Sequence, residues 1–263
     1  MKIEQLSYYP LKSGKGNSIS NIGVSLTGFD NDRAFAIIDS ENNVLTAREK
    51  PEILNITAIV EKEIIKLSVN STEEIELNHV KIFDQKVVLS LFKKECHGLT
   101  CAHSVNDWLS AYLNEPCKLV KIDETRLRVS TKTEKPAPIF LTDSCPIHLV
   151  NIASLSDLNS RLKNPVKMNR FRPNIVISGI NAYQEEEFKT LKIGDCFFKM
   201  ATTTKRCTLI TINPDTIQKD KDQQPLRELS TYKSDLSGVA FGIYLIPMNS
   251  GTINLDDEIT VED

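Results

Sequence analysis

The strongest constraint on the fold is an alternation of apolar and polar residues with a period of two in the first third of the chain. Ile65, Leu67 and Val69 alternate with polar residues, and Ile75 and Leu77 continue the pattern. A period of two puts alternate side chains on opposite faces of an extended strand. These segments therefore predict strands that each bury one face.

Further segments are rich in β-branched or aromatic residues, which favour strands. They are residues 34–38, 44–47, 87–92, 174–178, 196–201, 206–212 and 239–246. The turn at residues 39–43 would join the first two as a hairpin. Helices and strands do not alternate strictly along the chain, which argues against a parallel βαβ sheet. We therefore expect a β-rich α+β fold that is barrel-like and has a few helices.

Two helices are predicted from polar capping residues followed by apolar residues at helical spacing. The first begins in residues 104–107 (SVND) and continues through Trp108 and Leu109. The second begins in residues 154–157 (SLSD) and continues through Leu158. Both apolar stripes are interpreted as core packing.

Length and composition indicate an ordinary soluble protein of one large or two smaller domains. The charged, proline-punctuated residues 123–138 predict a boundary between two β-rich domains, residues 1–122 and 123–263, or a long excursion within one domain. The formal net charge of −3 argues against non-specific nucleic-acid binding. An N-terminus without an apolar signal segment, and apolar stretches too short to span a bilayer, predict a cytoplasmic protein.

Cys207 is the residue with the most chemical information. It follows Lys205 and Arg206 and lies near the start of the strand-like residues 206–212. Flanking cations favour the thiolate, which is a nucleophile and a ligand suited to soft or high-valent metals. An inert core thiol is the alternative, and from this segment alone it is favoured. The six cysteines are interpreted as free thiols or ligands, because no signal peptide accompanies them.

Four basic segments are separated in sequence and could converge on one anion site. They are residues 9–16 (YPLKSGKG), 32–33 (DR), 46–48 (TAR) and 170–174 (RFRPN). Taken singly, each is interpreted as surface charge. Arginines at strand ends also bind phosphate or carboxylate through paired hydrogen bonds. Convergence of these segments near Cys207 would therefore create a pocket for an anionic cofactor.

A second cluster of potential ligands, residues 96–103 (CHGLTCAH), contains two cysteines and two histidines. Its spacing does not match the two separated pairs of a usual zinc site, so a loop leading into the first helix is the preferred interpretation. The sequence has no Walker A, HExxH, GxGxxG or nucleophile-elbow motif. Nucleotide-dependent enzymes and classical hydrolases therefore have little support.

Several segments, taken in order, resemble the MOSC family in the form with an N-terminal β-barrel domain, as in the mitochondrial amidoxime-reducing component and its bacterial relatives. The segments are residues 9–13 (YPLKS), 32–33, 46–48, 153–159 (ASLSDLN), 171–176 (FRPNIV), 206–209 (RCTL), 213–216 (NPDT), 225–229 (PLREL) and 251–253 (GTI). The resemblance covers nearly the whole chain. It implies an N-terminal β-barrel-like domain followed by a MOSC β-barrel domain with a few helices.

The resemblance also implies a molybdenum cofactor, Mo-molybdopterin, bound between the two regions, and reduction of N-hydroxylated compounds such as amidoximes and hydroxylamines. Cys207 falls on the family's metal-ligating cysteine, which makes it the expected metal ligand and catalytic residue. The residues expected to bind the cofactor are Lys12, Ser13, Arg33, Arg48, Asp143, Ser144, Cys145, Arg172, Asn174, Lys205 and Arg206. Residues 143–145 among them match the loop beside the metal.

Several positions depart from the family pattern. Thr204 stands where relatives often have a cysteine, Lys205 replaces a small residue beside the metal, and Cys145 replaces a common serine. Asn151 and Ile217 also differ from the pattern. These departures bear on substrate range more than on cofactor binding.

The predicted function is therefore molybdenum-dependent reduction of a small N-hydroxylated substrate. Electrons would come from a separate reductase or ferredoxin-like partner, because the sequence has no flavin motif or iron–sulfur cysteine cluster. The alternative is a molybdenum-cofactor or sulfur-carrier module with a persulfide on Cys207. MOSC domains also occur fused to a pyridoxal-phosphate desulfurase, which makes pyridoxal phosphate binding a family-level expectation, although no desulfurase region is present here. A degenerate member that binds nothing is disfavoured by the retained basic residues.

Overall fold

The fold is built mainly from β-strands, with three α-helices among the described residues. The computed structural model describes residues 1–69, 73–130, 132 and 136–262. The strands are β1 (Lys2–Tyr8), β2 (Asn17–Ile19), β3 (Asn21–Ser25), β4 (Gly28–Phe29), β5 (Phe35–Asp39), β6 (Ile56–Glu61), β7 (Ile64–Val69), β8 (Glu73–Asn78), β9 (Gln85–Leu91), β10 (Lys94–Thr100), β11 (Cys117–Ile122), β12 (Arg128–Ser130), β13 (Ala137–Ile139), β14 (Ile147–Asn151), β15 (Ile175–Ser178), β16 (Thr190–Ile193), β17 (Cys196–Lys205), β18 (Ser234–Asp235), β19 (Gly238–Pro247), β20 (Gly251–Asn254) and β21 (Ile259–Glu262). The helices are α1 (Ser104–Leu113), α2 (Ile152–Arg161) and α3 (Leu226–Tyr232), and 3₁₀ turns cover Pro51–Asn55, Met168–Phe171, Gln184–Glu187 and Thr208–Thr211. The predicted β-rich α+β class is confirmed.

The largest sheet has nine strands, in the order β2-β1-β15-β14-β19-β17-β16-β21, with β18 paired to β19. Strand β14 runs parallel to β15, and α2 connects the two. The other strand pairs of this sheet are antiparallel within the described residues. The prediction against a parallel βαβ sheet therefore holds for the other strand pairs of this sheet, but it misses one βαβ unit.

The remaining strands form smaller sheets, in the orders β5-β11-β10-β9, β6-β7-β8, β20-β3-β4 and β12-β13. Strand β1 pairs with β15, and β3 pairs with β20, so the N-terminal strands lie among strands from the second half of the chain. Residues 35–122 contribute the sheets of β5–β11. The predicted domain boundary between residues 122 and 123 stays a prediction.

Two apolar cores lie on either side of the segment that follows β1. Leu6 belongs to the core of the nine-stranded sheet, whereas Leu11 belongs to the core that contains Phe35 and α1. The backbone N–H of Lys12 donates to the carbonyl of Phe35 at 2.7 Å, which fixes the second end of this crossing. The residues between the cores are therefore held rigidly although they are not in regular structure.

The period-two pattern of the first third forms the predicted strands. Ile65 and Leu67 on β7 are fully buried, as the alternation requires. The predicted hairpin at residues 34–47 is only partly formed. Strand β5 ends at Asp39, and after the turn only an isolated bridge between Ile38 and Val44 continues the pairing.

The prediction of a strand over residues 206–212 is wrong. Strand β17 ends at Lys205, and a 3₁₀ turn covers Thr208–Thr211. The reason is that the apolar residues of this run pack against two different clusters. Ile210 joins the core around Phe171, whereas Ile212 packs in the cluster of Ala47 and Leu54. A straight strand could not supply both contacts, so β-branched composition misleads here.

Both predicted helices are present, with different N-caps. The first begins at Ser104, but the ring nitrogen Nδ1 of His103 accepts the hydrogen bond from the backbone N–H of Val105. The second begins at Ile152, two residues earlier than the predicted Ser154, because Asn151 caps it. Ser154 is instead buried inside the helix.

The cysteine and histidine cluster of residues 96–103 lies mostly on a strand, not in a loop. Strand β10 extends through Thr100 and buries Cys96. The part of the chain that the structure describes contains no group of three or more histidine, cysteine or acidic side chains placed to hold a metal ion. Across the same residues, no helix is both long enough and apolar enough to cross a lipid bilayer.

Candidate functional site

A polar cavity lies where six separate segments of the chain meet, and most of the predicted site residues line it. Those lining it are Lys12, Ser13, Arg33, Asp143, Cys145, Arg172, Asn174, Lys205, Arg206 and Cys207. Three of the four basic segments singled out in the sequence therefore meet at this cavity. The exception is the segment of Arg48, which does not line the cavity.

The volume of the cavity is about 100 Å³, and one side is open to solvent. A larger ligand would extend through the open side. Lys12, Arg33, Arg172, Lys205 and Arg206 supply positive charge against one lining carboxylate, that of Asp143. Such a cavity attracts an anion.

Cys207 lies where β17 ends and the 3₁₀ turn begins. Its side chain is partly exposed and lines the cavity, whereas the other five cysteines are buried. The backbone N–H of Arg206 donates to the carbonyl of Val239 at 2.8 Å, which anchors the preceding residue to β19. Cys207 is thus both accessible and held by a strand end, as a reactive or metal-binding thiol requires.

Arg33 is held by three partners. Its Nη1 donates to the carboxylate of Asp32 and, at 3.2 Å, to Oδ1 of Asn174. Its Nη2 donates to the carbonyl of Arg172 at 3.4 Å. The same Asn174 oxygen accepts the backbone N–H of His148 at 3.2 Å, which ties the group to β14. Burial raises the pKa of Asp32, and the charge and hydrogen bond of Arg33 oppose that rise.

The ring of Tyr9 packs against two guanidinium groups. Cζ of Arg33 lies 4.2 Å and Cζ of Arg172 lies 4.4 Å from the ring centroid. The hydroxyl of Tyr9 donates to the carbonyl of Pro173 at 3.0 Å. Because the electron-rich face of a ring attracts cations, Tyr9 holds both arginines beside the cavity. Its sequence neighbours give no separate signal for this role.

Arg172 connects the segment before β15 to the segment after β1. Its Nη1 donates to the carbonyl of Gly14 at 2.6 Å. Burial lowers the pKa of Arg172 to about 10, so the side chain is still a cation at neutral pH. Its Nη2 is buried and has no hydrogen-bond partner among the described residues.

Like Arg172, Arg206 has a buried donor without a hydrogen-bond partner among the described residues. Its Nη2 donates to the carbonyl of Phe171 at 2.9 Å, but within the described part of the chain its Nε has no partner. Burial lowers the pKa of Arg206. A buried donor without an acceptor costs about 1–3 kcal/mol. Arg172 and Arg206 both line the cavity, so an anion bound there would lie beside both guanidinium groups.

Three of the lining residues have left-handed backbone conformations. The φ angles are 65° at Ser13, 55° at Arg33 and 54° at Arg172. Each such non-glycine conformation costs on the order of 1–3 kcal/mol and persists only where surrounding contacts hold it. Residues in these conformations cluster at ligand-binding sites, and here all three border the same cavity.

Lys12 and Asp143 form an ion pair across the cavity wall. Nζ of Lys12 donates to Oδ1 of Asp143 at 2.6 Å and to the carbonyl of Leu141 at 2.8 Å. Burial lowers the pKa of Lys12, and the neighbouring Asp143 opposes this effect. The loss of water around Asp143 acts to raise its pKa. The charge and hydrogen bond of Lys12 outweigh this effect, so the pKa is lowered to about 2.

Comparison with known proteins identifies relatives over nearly the whole chain. The model of the MOSC N-terminal beta barrel domain matches residues 1–116, and that of the MOSC domain matches residues 136–260. Mitochondrial amidoxime-reducing component 1 of Mus musculus is 32% identical over 280 residues, covering 98% of this chain and 81% of that protein. The chain belongs to the MOSC family. The resemblance found in the sequence is confirmed.

Two further relatives of this MOSC chain differ in length. Mitochondrial amidoxime-reducing component 1 of Homo sapiens is 31% identical over 281 residues, covering 98% of this chain and 82% of that protein. Molybdenum cofactor sulfurase of Oryza sativa subsp. japonica is 29% identical over 264 residues, covering 92% of this chain and 32% of that protein. The MOSC chain thus matches a minor part of the sulfurase and most of each amidoxime-reducing component.

Two predicted site residues of the MOSC chain lie beside the cavity. Ser144 is half-buried in the loop between the lining residues Asp143 and Cys145. Arg48 is exposed, and its Cζ lies 4.7 Å from the ring centroid of Phe92. The positive charge of Arg48 contributes to the low pKa of Asp143, so its guanidinium still acts on the cavity.

Lys205 lines the cavity but is tied to a neighbouring hairpin. Its Nζ donates to the carboxylate of Asp235 at 2.7 Å, on the short strand β18. The hydrogen bond from Lys205 lowers the pKa of Asp235. The ammonium of Lys205 is therefore held beside the turn between β18 and β19.

Several lining residues carry no motif signal in the sequence. They are Thr142, Pro146, His148 and Tyr244. His148 and Tyr244 are cross-strand neighbours on β14 and β19, with ring centroids 5.9 Å apart. Burial lowers the pKa of His148 and raises that of Tyr244, so both are uncharged at neutral pH. Only their place in apolar strands could have been read from the sequence, and that pattern predicts core packing.

Proposed function

We propose that the chain is a molybdenum-cofactor-dependent oxidoreductase that reduces N-hydroxylated compounds such as amidoximes and hydroxylamines. One observation carries this proposal. The partly exposed cysteine Cys207 lines a cavity together with Arg172 and Arg206, and each arginine has a buried guanidinium donor without a hydrogen-bond partner among the described residues. A thiol and anion-binding donors in one cavity suit a cofactor that has both a metal and a phosphate.

The comparisons support the same proposal through the names of the relatives. Two of the relatives described above are amidoxime-reducing components, and the third is a molybdenum cofactor sulfurase. A molybdenum cofactor that serves amidoxime reduction in this chain would account for both kinds of relative. It fits the cavity of this chain because the cationic lining matches its phosphate, and a thiolate is a strong ligand for a soft or high-valent metal.

The chain would hold the cofactor with residues from both halves of the sequence. Cys207 would ligate molybdenum through its thiolate. Arg33, Arg172 and Arg206, with Lys12, would bind the phosphate and pterin. Ser13, Asn174 and residues 143–145 would border the cofactor, with Arg48 and Lys205 at its edge. We also propose that residues 1–122 and 123–263 are the two domains that contribute these residues.

The bound cofactor would supply the redox chemistry that removes oxygen from an N–O bond. That reduction takes two electrons and two protons and releases water. The electrons would come from a separate redox protein. The protein itself fixes orientation and electrostatics around the reacting atoms. The left-handed backbone at Ser13, Arg33 and Arg172 presets the cationic wall before the ligand arrives.

The test is a paired measurement on protein expressed in a molybdenum-sufficient host. Elemental analysis should find about one molybdenum per chain, and the protein should reduce benzamidoxime to benzamidine with a reduced viologen dye. Cys207→Ser should lose turnover and keep its fold. Cys101→Ser is the matched control, because Cys101 is a buried cysteine that does not line the cavity, and it should keep both molybdenum and turnover. Undiminished turnover in Cys207→Ser would contradict the proposal.

A second candidate function is a molybdenum-cofactor or sulfur carrier, with a persulfide on Cys207. The identity to a molybdenum cofactor sulfurase favours it. The same preparation separates the two functions. Sulfane sulfur on Cys207 without bound molybdenum supports the carrier, whereas molybdenum without sulfane sulfur supports the reductase.

A further inference from the structure

A two-residue turn connects β9 and β10 in an unusual way. Phe92 and Lys93 form the turn, with φ angles of 53° and 62°. Two-residue hairpins with positive φ at both central positions strongly favour asparagine and glycine there. An aromatic residue at the first position is conformationally costly, because its side chain is crowded in the left-handed region. Hairpin formation alone gives no reason for Phe92.

The contacts of Phe92 supply a reason. Its ring centroid lies 5.1 Å from Nζ of Lys12 and 4.7 Å from Cζ of Arg48. These two cations are far apart in sequence, and Phe92 packs against both. Each distance is within the range in which a ring face attracts a cation.

The ring also helps to explain the burial of Lys12. Lys12 is only 5% exposed, and its ammonium is surrounded by the carbonyl of Leu141, the carboxylate of Asp143 and the ring of Phe92. Phe92 itself is 41% exposed, so it lies between the cavity wall and solvent. Removing the ring would expose the ammonium of Lys12 to water. It would also release the guanidinium of Arg48, whose hydrogen bond among the described residues runs from Nε to Thr46 Oγ1 within its own turn.

We propose that Phe92 is a positioning residue for the anion site, which it serves by fixing Lys12 and Arg48 toward the bound ligand. The inference rests on the proposed function, since the ligand is taken to be the phosphate-bearing cofactor. It extends that function to the hairpin of β9 and β10, which does not line the cavity. Retention of the costly turn conformation then has a functional cause.

Phe92→Gly separates stability from binding. Glycine adopts positive φ without crowding, so this variant should unfold at the same or a higher temperature than the wild type. It lacks the ring, so inorganic phosphate titrated into cofactor-free protein should bind about tenfold more weakly, and the molybdenum content of the purified protein should fall. Phe92→Tyr keeps the ring and should restore both values.

Lys62→Gly is the matched control. Lys62 lies in the hairpin turn of β6 and β7 with a φ of 54°, away from the cavity. The Lys62→Gly variant should lose the same kind of backbone strain as Phe92→Gly. Its phosphate affinity and molybdenum content should stay unchanged.

Unchanged phosphate affinity in Phe92→Gly would overturn the positioning role, as would weakened affinity that appears only together with a lower unfolding temperature. Wild-type protein that binds no phosphate would overturn it too. Wild-type protein that binds phosphate but holds no molybdenum would instead count against the proposed function, and the phosphate titrations would still decide the role of Phe92.

Discussion

Nζ of Lys12 and Oδ1 of Asp143 lie 2.6 Å apart although 131 residues separate them in sequence. The two partners differ sharply in exposure. The side chain of Lys12 is 6% exposed and that of Asp143 is 52% exposed. The ion pair therefore joins a buried cation from the segment after β1 to a carboxylate that water can reach. Removing either partner leaves a different residue behind, and the consequences differ.

We expect Asp143→Ala to destabilise the protein more than Lys12→Met. The alanine variant leaves a buried ammonium without its counter-ion, which costs about 2–4 kcal/mol in the free energy of unfolding. The methionine variant leaves a half-exposed carboxylate that water can solvate, but it also leaves the buried carbonyl of Leu141 without its donor, so we expect a loss of about 1–2 kcal/mol. Urea unfolding of both variants at neutral pH measures the two losses. Equal losses, or a larger loss in Lys12→Met, would be inconsistent with the burial seen here.

The same pair predicts a pH dependence. The pKa of Asp143 is about 2 in the folded protein, below its ordinary value of 3.8. Since the unfolded chain takes up this proton first as the pH falls, the contribution of Asp143 to stability is present above about pH 4 and is lost between there and about pH 2.

Comparison with Asp143→Asn isolates this contribution. The difference in unfolding free energy between wild type and variant should be constant above about pH 5 and should shrink as the pH falls toward 2. Urea titrations at several pH values measure it. A difference that stays constant, or grows, as the pH falls would show that the contact with Lys12 does not lower the pKa of Asp143.

Substitutions of Tyr9 should separate its hydroxyl from its ring. Tyr9→Phe leaves the buried carbonyl of Pro173 without its donor, so we expect a loss of about 1–2 kcal/mol in stability with cofactor content retained. Tyr9→Leu also removes the ring that holds Arg33 and Arg172, so molybdenum content should fall well below that of Tyr9→Phe. Thermal unfolding and elemental analysis provide the two measurements. The same molybdenum content in both variants would show that the ring does not position the arginines.

Sequence patterns predicted the fold where one face of a strand is buried. The alternation in β7 is of this kind, and Ile65 and Leu67 are both fully buried. The run of residues 206–212 shows the limit of such patterns. Its apolar residues serve two separate clusters, and only the tertiary structure decides that they do so from a 3₁₀ turn.

The candidate site was predicted from the resemblance to a known family. Arg33, Arg172 and Cys207 lie in segments that resemble those of a known family, and the structure brings them to one cavity. Tyr9, His148 and Phe92 were not predicted, because each acts through contacts between residues distant in sequence. An aromatic residue that holds two cations has no local pattern that distinguishes it from a core residue.

Molybdenum-edge X-ray absorption on wild type and Cys207→Ser tests the central claim most directly, because it counts the sulfur atoms bound to the metal. The account predicts that Cys207→Ser either loses one sulfur neighbour of molybdenum or fails to retain the metal, whereas Cys101→Ser, at a buried cysteine outside the cavity, keeps the wild-type count. Cys207→Ser protein that retains molybdenum with the same number of sulfur neighbours as the wild type would contradict the account.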